Sequence, residues 1–446
     1  MTEQDGDSAL AGSVRRGAPL LEISELKKYF GGEGLFAGDP VKAVDGVSFT
    51  IRKGETLGLV GESGCGKTTL GRTILQLSGA TGGSVTFRGV DITQLTGSQL
   101  KDWQQNAQMV FQDPDSSLND RMTVGEIVRE PLDVHDWKTP ADRRHRVREL
   151  LATVGLRPEH YYRYPHQFSG GQRQRIGVAR SLALEPEFLV LDEPVSALDV
   201  SVQAQVLNLL EDLQEEFGLT YLLIAHDLAV VRHSCDRVLV MYLGNIMEVG
   251  ETETLFEHPA NPYTIALLSA IPEPDPTVEK EEITLRGTPP SPSDPPTGCP
   301  FSTRCPMKIR PDGFEDVSEA AWEAIEVFRT IVRERGRVEK SLGEILREQL
   351  GLETRFSGME EILEETFGDV DIPPSVQERI EEAADLVGDG DPEAADELLT
   401  ETFGSVCDVE KPDYHELEPG QESLCHRHGP EYEDPETLLD REVFVD

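Results

Sequence analysis

Lysine is scarce in this chain of 446 residues: only 11 of its 41 basic side chains are Lys, against 83 acidic ones. The formal net charge of −42 leaves no basic stripe of the kind a phosphate backbone requires, so no nucleic acid is expected as a partner. Acid-rich, lysine-poor surfaces suit a cytoplasm of high salt, where repulsion is screened within a few ångströms, and a halophilic, archaeal source is expected. Long apolar runs are also missing. Nothing approaches the roughly twenty residues needed to cross a bilayer, so work at a membrane would need other subunits as anchors. Cysteine is rare too, with six residues. Without a secretory leader, a reducing compartment is expected, where cysteines grouped outside a catalytic fold point to a metal or cluster before disulfides. No internal repeat is present.

What the chain does have begins at Gly61-Glu62-Ser63-Gly64-Cys65-Gly66-Lys67-Thr68. Gly61, Gly64 and Gly66 let backbone N–H groups turn inward around phosphates, Lys67 brings a point charge to the outer phosphates, and the Thr68 hydroxyl can sit on Mg²⁺. Glu55–Val60 reads as a buried strand before the loop. Thr69–Leu75 reads as a helix after it, whose N-terminal dipole would face the phosphates. Further on, Phe188–Glu193 is an apolar strand ending in two carboxylates. Beside a phosphate loop this places Asp192 near a metal and Glu193 where it can polarise an attacking water.

Phe168-Ser169-Gly170-Gly171-Gln172 resembles the signature of the ATP-binding-cassette (ABC) ATPases, with Phe where Leu is commoner. Phe111-Gln112-Asp113 resembles their Q-loop, Ser196-Ala197-Leu198-Asp199 their D-loop, and Ile224-Ala225-His226-Asp227 their H-switch. The resemblance runs over roughly residues 20–270, in the family's motif order. It implies a P-loop α/β cassette with a helical subdomain at about 113–180. It also implies that ATP is clamped between the phosphate loop of one cassette and the signature of another. Glu62, Ser63, Cys65 and Thr69 complete the implied nucleotide set on one side, with Ser169, Gly170, Gly171, Gln172 and Asp199 on the other. The resemblance further assigns His226 to the γ-phosphate and water, and Gln112 to coupling the Mg²⁺ site, shared with Thr68 and Asp192, to the transporter. Phe30, in Lys28-Tyr29-Phe30-Gly31, resembles the loop aromatic that stacks on adenine, with Tyr29 the lesser candidate. Ser169–Gly171 lead into a helical stretch, so backbone amides and a helix N-terminus can face a partner's γ-phosphate.

Beyond the cassette, His258-Pro259-Ala260-Asn261-Pro262-Tyr263-Thr264, the Pro-rich run 288–296 and Gly298–Pro306 resemble the C-terminal extension of oligopeptide, dipeptide and nickel importer ATPases. In that family four cysteines lie close together, and in many members they hold an iron–sulfur cluster. Here Cys299 and Cys305 are separated from Cys407 and Cys425 by about a hundred residues. Residues 311–403 carry 27 acidic and 8 basic side chains, with amphipathic runs at Trp322, Ile325 and Phe328 and at Leu342, Ile345 and Leu346. They read as an inserted acidic helical module. Ser375-Val376-Gln377-Glu378 reads as a capping box opening one of its helices. The two pairs can meet if the insert starts and ends at adjacent points. A [4Fe–4S] cluster on Cys299, Cys305, Cys407 and Cys425 is the leading expectation, with zinc or unligated cysteines as alternatives.

The expected organisation is a disordered tail at 1–18, a cassette at 19–270, an extension with the first cysteine pair at 271–310, and an insertion at 311–404. The extension resumes with the second pair at 405–428, and a loose acidic tail follows at 429–446. Helix-breaking prolines are expected at Pro131, Pro140, Pro158 and Pro165. Motif details such as Leu70-Gly71-Arg72 resemble the second of two paired paralogues. The partners implied are a second, different cassette chain, two transmembrane permease subunits and an extracellular solute-binding protein, with this chain peripheral at the cytoplasmic face of the membrane. The expected function is ATP hydrolysis driving import of peptides or a related solute. The competing reading is a soluble, non-transport ABC ATPase in DNA repair, ribosome function or iron–sulfur assembly. Those often carry two cassettes, a long coiled coil or basic surfaces, and this chain has none of these.

Overall fold

A computed structural model describes residues 17–32, 39–271, 283–285, 287–314, 317–337, 359–368 and 370–439. These divide into two compact units. One takes its residues from Met1–Thr284, Ser291–Pro295 and Tyr414–Leu424, the other from Leu285–Pro290, Pro296–Asp413 and Cys425–Asp446.

The first unit holds two sheets. Strands β1 (Pro19–Phe30), β2 (Val41–Arg52), β4 (Gly82–Phe87) and β5 (Val90–Asp91) form an antiparallel sheet in the order β2-β1-β4-β5. The second sheet takes β3 (Thr56–Val60), β6 (Ala107–Val110), β7 (Phe188–Asp192), β8 (Thr220–Ile224), β9 (Arg237–Tyr242), β10 (Asn245–Glu251), β11 (Tyr414–Glu418) and β12 (Gln421–Leu424). Its order is β11-β12-β10-β9-β3-β8-β7-β6, parallel from β9 to β6 and antiparallel from β9 to β11. Strands β3, β7 and β8 are buried at every position. Covered on both faces, they are near-continuous apolar runs rather than alternating ones.

Ten helices follow in chain order among the described residues of this unit: α1 (Lys67–Ile74), α2 (Gly97–Asn106), α3 (Pro114–Ser117), α4 (Val124–Val134), α5 (Pro140–Thr153), α6 (Gly170–Ser181), α7 (Val200–Phe217), α8 (Leu228–Ser234), α9 (Thr252–Glu257) and α10 (Pro262–Ser269). Thr123 and Thr139 open α4 and α5 with reciprocal capping boxes to Glu126 and Asp142. Packing of α4, α5 and α6 closes a second core around Ile127, Leu150, Phe168 and Ile176. Pro140 begins its helix at the first position, where its missing N–H costs nothing, and Pro158 and Pro165 likewise begin short 3₁₀ turns. Pro131 departs from expectation, lying inside α4 without ending it.

The second unit contains α11 (Glu319–Arg337), α12 (Met359–Phe367), α13 (Pro374–Gly388), α14 (Pro392–Phe403), α15 (Val406–Val409) and α16 (Pro435–Leu439). Trp322, Ile325 and Phe328 are buried as their spacing predicts, packed with Ile380, Leu399 and Phe403. The run at Leu342, Ile345 and Leu346 lies outside the described residues. No capping box opens α13. Pro373 is its N-cap, without a side-chain bond, and Pro374 supplies the start, so Ser375 already lies in the first turn.

A buried quartet of charges ties α11 to the cysteine segments. Lys308 Nζ lies 2.9 Å from both Glu326 and Asp408, and Arg329 Nη1 lies 2.7 Å from Glu326. Arg329 Nη2 completes the set at 3.4 Å from Asp408.

Three expected boundaries change. Residues 414–424 leave the cysteine extension and pair with β10 of the cassette sheet, so 405–428 is not one segment. Gly17 and Ala18 are tied to Lys53 by main-chain hydrogen bonds, while 1–16 lie outside the described residues. The expected loose tail carries α16 and an Asp434 carboxylate 2.9 Å from His428 Nδ1, with 440–446 undescribed. The Gly-rich excursion between Gly31 and Pro40 is described only at its ends.

Candidate active site

The phosphate loop leaves the carboxyl end of β3, where the crevices of open α/β sheets collect ligands. Its glycines are demanded by close approach. At Gly61, with φ +146°, a Cβ would sit 2.0 Å from the Met241 carbonyl oxygen, and at Gly66, with φ +109°, 2.0 Å from that of Ala43. Lys67 is 7% exposed and donates to the Gly61 and Glu62 carbonyls at 2.8 and 2.9 Å. Its ammonium is thereby folded into the loop it serves.

The neighbouring strands deliver the rest to the same edge. Thr68, at the start of α1, donates from Oγ1 to Asp192 Oδ1 at 2.9 Å, joining the loop to the end of β7. Burial raises the Asp192 carboxyl, and the Thr68 hydrogen bond and Arg72 pull it back only in part. A buried carboxylate of this kind gains from a cation. Glu193 follows in the left-handed region at φ +45°, rare for a non-glycine residue and associated with functional sites. Its Oε2 accepts from Gln112 Nε2 at 2.7 Å and lies 3.2 Å from His226 Nδ1. Gln112 follows β6 and His226 follows β8, so β3, β6, β7 and β8 each send a residue to one locus. The expected site residues on this side are brought together.

An open groove of about 710 Å³ runs from Thr68 and Asp192 past Gln112 to Glu130, Val134 and Arg180. Phe30 ends β1 with 45% of its surface exposed and Lys28 Nζ 4.8 Å from its ring centre. Tyr29 is bonded through its hydroxyl to Asp45. Of the two aromatics, Phe30 is the more exposed.

Ser169 and Gln172 close a capping box on each other at the head of α6, and both are exposed. Asp199 caps α7 by accepting the Val202 N–H at 3.1 Å, and hydrogen bonds from the Ser201 hydroxyl and the Val202 amide hold its carboxyl below the ordinary range. These groups present a helix N-terminus to solvent.

In the second unit the four extension cysteines are free thiols. Cys299 N donates to Cys407 O at 2.8 Å, joining the two pairs across the insertion. Burial pushes all four thiols up, Cys425 to about 12, and negative charge on Cys407 adds to the rise at Cys299, Cys305 and Cys425. Backbone N–H groups of Phe301, Met307, Ile309 and Arg427 act on the sulfurs in the opposite sense. Among the described residues, no group of three or more His, Cys, Asp or Glu side chains is arranged to hold a metal ion.

Sequence reasoning missed two arrangements. The charge quartet joins residues up to 100 positions apart. Tyr263 accepts a hydrogen bond from the phosphate-loop residue Glu62, 201 positions away.

Phosphate loop, paired carboxylates, glutamine and histidine at one edge of a parallel sheet define an ABC-type ATPase cassette, and residues 44–196 match the ABC transporter family. Residues 247–310 match the oligopeptide/dipeptide transporter C-terminal region, and residues 319–420 match a domain of unknown function, DUF8228. The oligopeptide transport ATP-binding protein AppF of Bacillus subtilis is 57% identical over 65% of this chain and 89% of its own length. For OppF of Salmonella typhimurium the figures are 52%, 65% and 89%. This chain belongs to the family of ATP-binding proteins of oligopeptide/dipeptide ABC transporters. The dimeric post-hydrolysis structure of the cassette MJ0796 bound to ADP and Pi is 28% identical, covering 52% of this chain and 98% of its own, with a TM-score of 0.47. No described helix is long and apolar enough to cross a membrane.

Proposed function

We propose that this chain is the ATP-hydrolysing subunit of an importer, energising uptake of di- or oligopeptides or a related solute through a membrane permease. One observation carries the reading: Thr68, Asp192, Gln112, Glu193 and His226 meet at the carboxyl ends of adjacent parallel strands. Loop amides from Gly61 to Thr69 and the Lys67 ammonium cradle the phosphates, and Phe30 stacks on adenine. The oxygens of Thr68, Asp192 and Gln112 are hard donors that fit Mg²⁺, which when bound would neutralise charge on the outer phosphates. Glu193 orients and polarises the attacking water, with His226 beside the γ-phosphate.

Ser169, Gly170, Gly171, Gln172 and Asp199 act on a nucleotide held by a second cassette, a paralogue. Ser169, Gln172 and Asp199 are exposed at helix starts, which supports that assignment. The groove beyond Gln112 receives a permease subunit, of which the importer has two, at the cytoplasmic face, and an extracellular binding protein delivers the solute. Glu193→Gln tests the core of this proposal. It should retain ATP, trap paired cassettes and release no phosphate. Hydrolysis at the wild-type rate in the assembled complex, or a strictly monomeric ATP-bound variant with every candidate partner, would overturn it.

We further propose a [4Fe–4S] cluster on Cys299, Cys305, Cys407 and Cys425, supported by the chemistry of four sulfur donors and by the Cys299 N–H to Cys407 carbonyl bond that joins the two pairs. Protein purified without oxygen should carry iron, sulfide and broad visible absorption. Colourless, iron-free protein would remove the cluster from the account.

A further inference from the structure

Behind the phosphate loop stands a tyrosine that the ATPase reaction does not obviously need. Tyr263 is 0% exposed, its ring tilted against Tyr242 with centres 4.8 Å apart. Its phenol oxygen accepts the Glu62 N–H at 2.9 Å. Glu62 directly follows Gly61, so this bond sets the direction in which the loop leaves β3 before it wraps the phosphates. Packing alone would be served by phenylalanine. The oxygen adds an acceptor for a main-chain donor of the loop.

Tyr263 is itself held from the C-terminal side. Asn261 Oδ1 caps α10 by accepting the Tyr263 N–H at 3.0 Å. Asn261 is 1% exposed, and its Nδ2 donates to Ser423 Oγ and Leu424 O at 3.2 and 3.0 Å, both on the returning strand β12. Glu248 accepts the Asn261 N–H at 2.9 Å and the Gln421 Nε2–H at 2.9 Å. A buried run of hydrogen bonds therefore leads from residues 421–424 through Asn261 to Tyr263 and Glu62. Networks of this kind hold few alternative geometries, because each donor left without an acceptor in a low-dielectric interior is costly.

We propose that Tyr263 is a positioning residue of the nucleotide site, setting the first turn of the phosphate loop, and that the β11–β12 hairpin reaches that loop through Asn261. The inference rests on ATP binding at Gly61–Thr69. Its consequence is that nucleotide affinity depends on a strand pair almost 190 residues beyond the last cassette motif, which the insertion separates from it in sequence.

Tyr263→Phe in the full chain keeps the ring and removes the acceptor. Binding of fluorescent Mg-ATP should weaken about ten-fold. In the assembled transporter KM for ATP should rise while kcat stays within about two-fold, since no group touching the reacting atoms is altered. Gln421→Leu should weaken binding by about three-fold, and the double variant by less than the product of the two. A Tyr263→Phe protein with the wild-type fold by circular dichroism and wild-type ATP affinity overturns the inference. If the variant does not fold, amide exchange on the wild-type chain decides: a Glu62 amide protected as long as those of α10 supports the bond, and one exchanging like an open loop overturns it. Failure of the wild-type chain to bind ATP would instead defeat the reading of the site.

Discussion

Arg329→Met is the sharpest probe of how the acidic module is held. Arg329 is 1% exposed and faces Glu326 and Asp408, and Lys308 is the only other cation in the quartet. Removing the guanidinium leaves two buried carboxylates to one ammonium. Breaking a buried pair in this way costs about 3–5 kcal/mol, roughly 6–20 °C in the midpoint of a unit of about 150 residues. Acid should reveal the same loss. Burial raises the Glu326 and Asp408 carboxyls, but Lys308 and Arg329 outweigh it and hold both below the ordinary range. Carboxylates held low lend stability above their unfolded pKa and lose it as pH falls through the folded value. Without Arg329 both move up, so unfolding on acidification starts at a higher pH. Trp322 fluorescence reports on the core beside the quartet, and 1 M salt should change the difference little because buried charges are weakly screened. Glu326→Gln added to Arg329→Met leaves Lys308 and Asp408 as a neutral pair and should restore most of the stability. Arg379→Met, breaking a pair half-exposed on both sides, should cost under about 1 kcal/mol. An Arg329→Met chain with unchanged thermal and acid midpoints would refute the reasoning.

Gly61→Ala should abolish Mg-ATP binding and destabilise the cassette by about 1–3 kcal/mol or more, because its Cβ meets the Met241 carbonyl at 2.0 Å. Calorimetric titration and thermal melts check it, and intact binding would count against the loop geometry. Moving the chain from molar salt to about 10 mM lengthens screening from about 3 to 30 Å and exposes the −42 charge to itself. The thermal midpoint by circular dichroism should fall, and a full fold and activity retained at low salt would argue against adaptation to a salty cytoplasm.

The cassette was legible wherever chemistry demands residue types at short spacing. Strand–loop–helix around Gly61–Thr68 and the apolar strand into Asp192-Glu193 appear where the motifs place them. Trp322, Ile325 and Phe328 were legible for a related reason, since a helical period names its own buried face. Local cues failed where two of them competed. At 373–378 the serine–glutamate spacing suggested a cap, but Pro373 and Pro374 restrict the backbone just upstream and take the helix start. The hairpin at 414–424 was unreadable as part of the cassette, because its pairing with Glu248 and Val249 joins residues more than 170 positions apart.

Sequence by itself determined the phosphate loop, the paired carboxylates at the end of β7, the cassette class and the acidic character, because each depends on residue identity within a few positions or on a sum over the chain. Tertiary structure decided which carbonyl crowds Gly61, which carboxylates share Arg329, which phenol receives the Glu62 N–H, and that the chain returns to the cassette sheet after the insertion. Those are contacts between distant segments, chosen by burial and by the need to satisfy polar groups away from water. No periodicity or spacing records them.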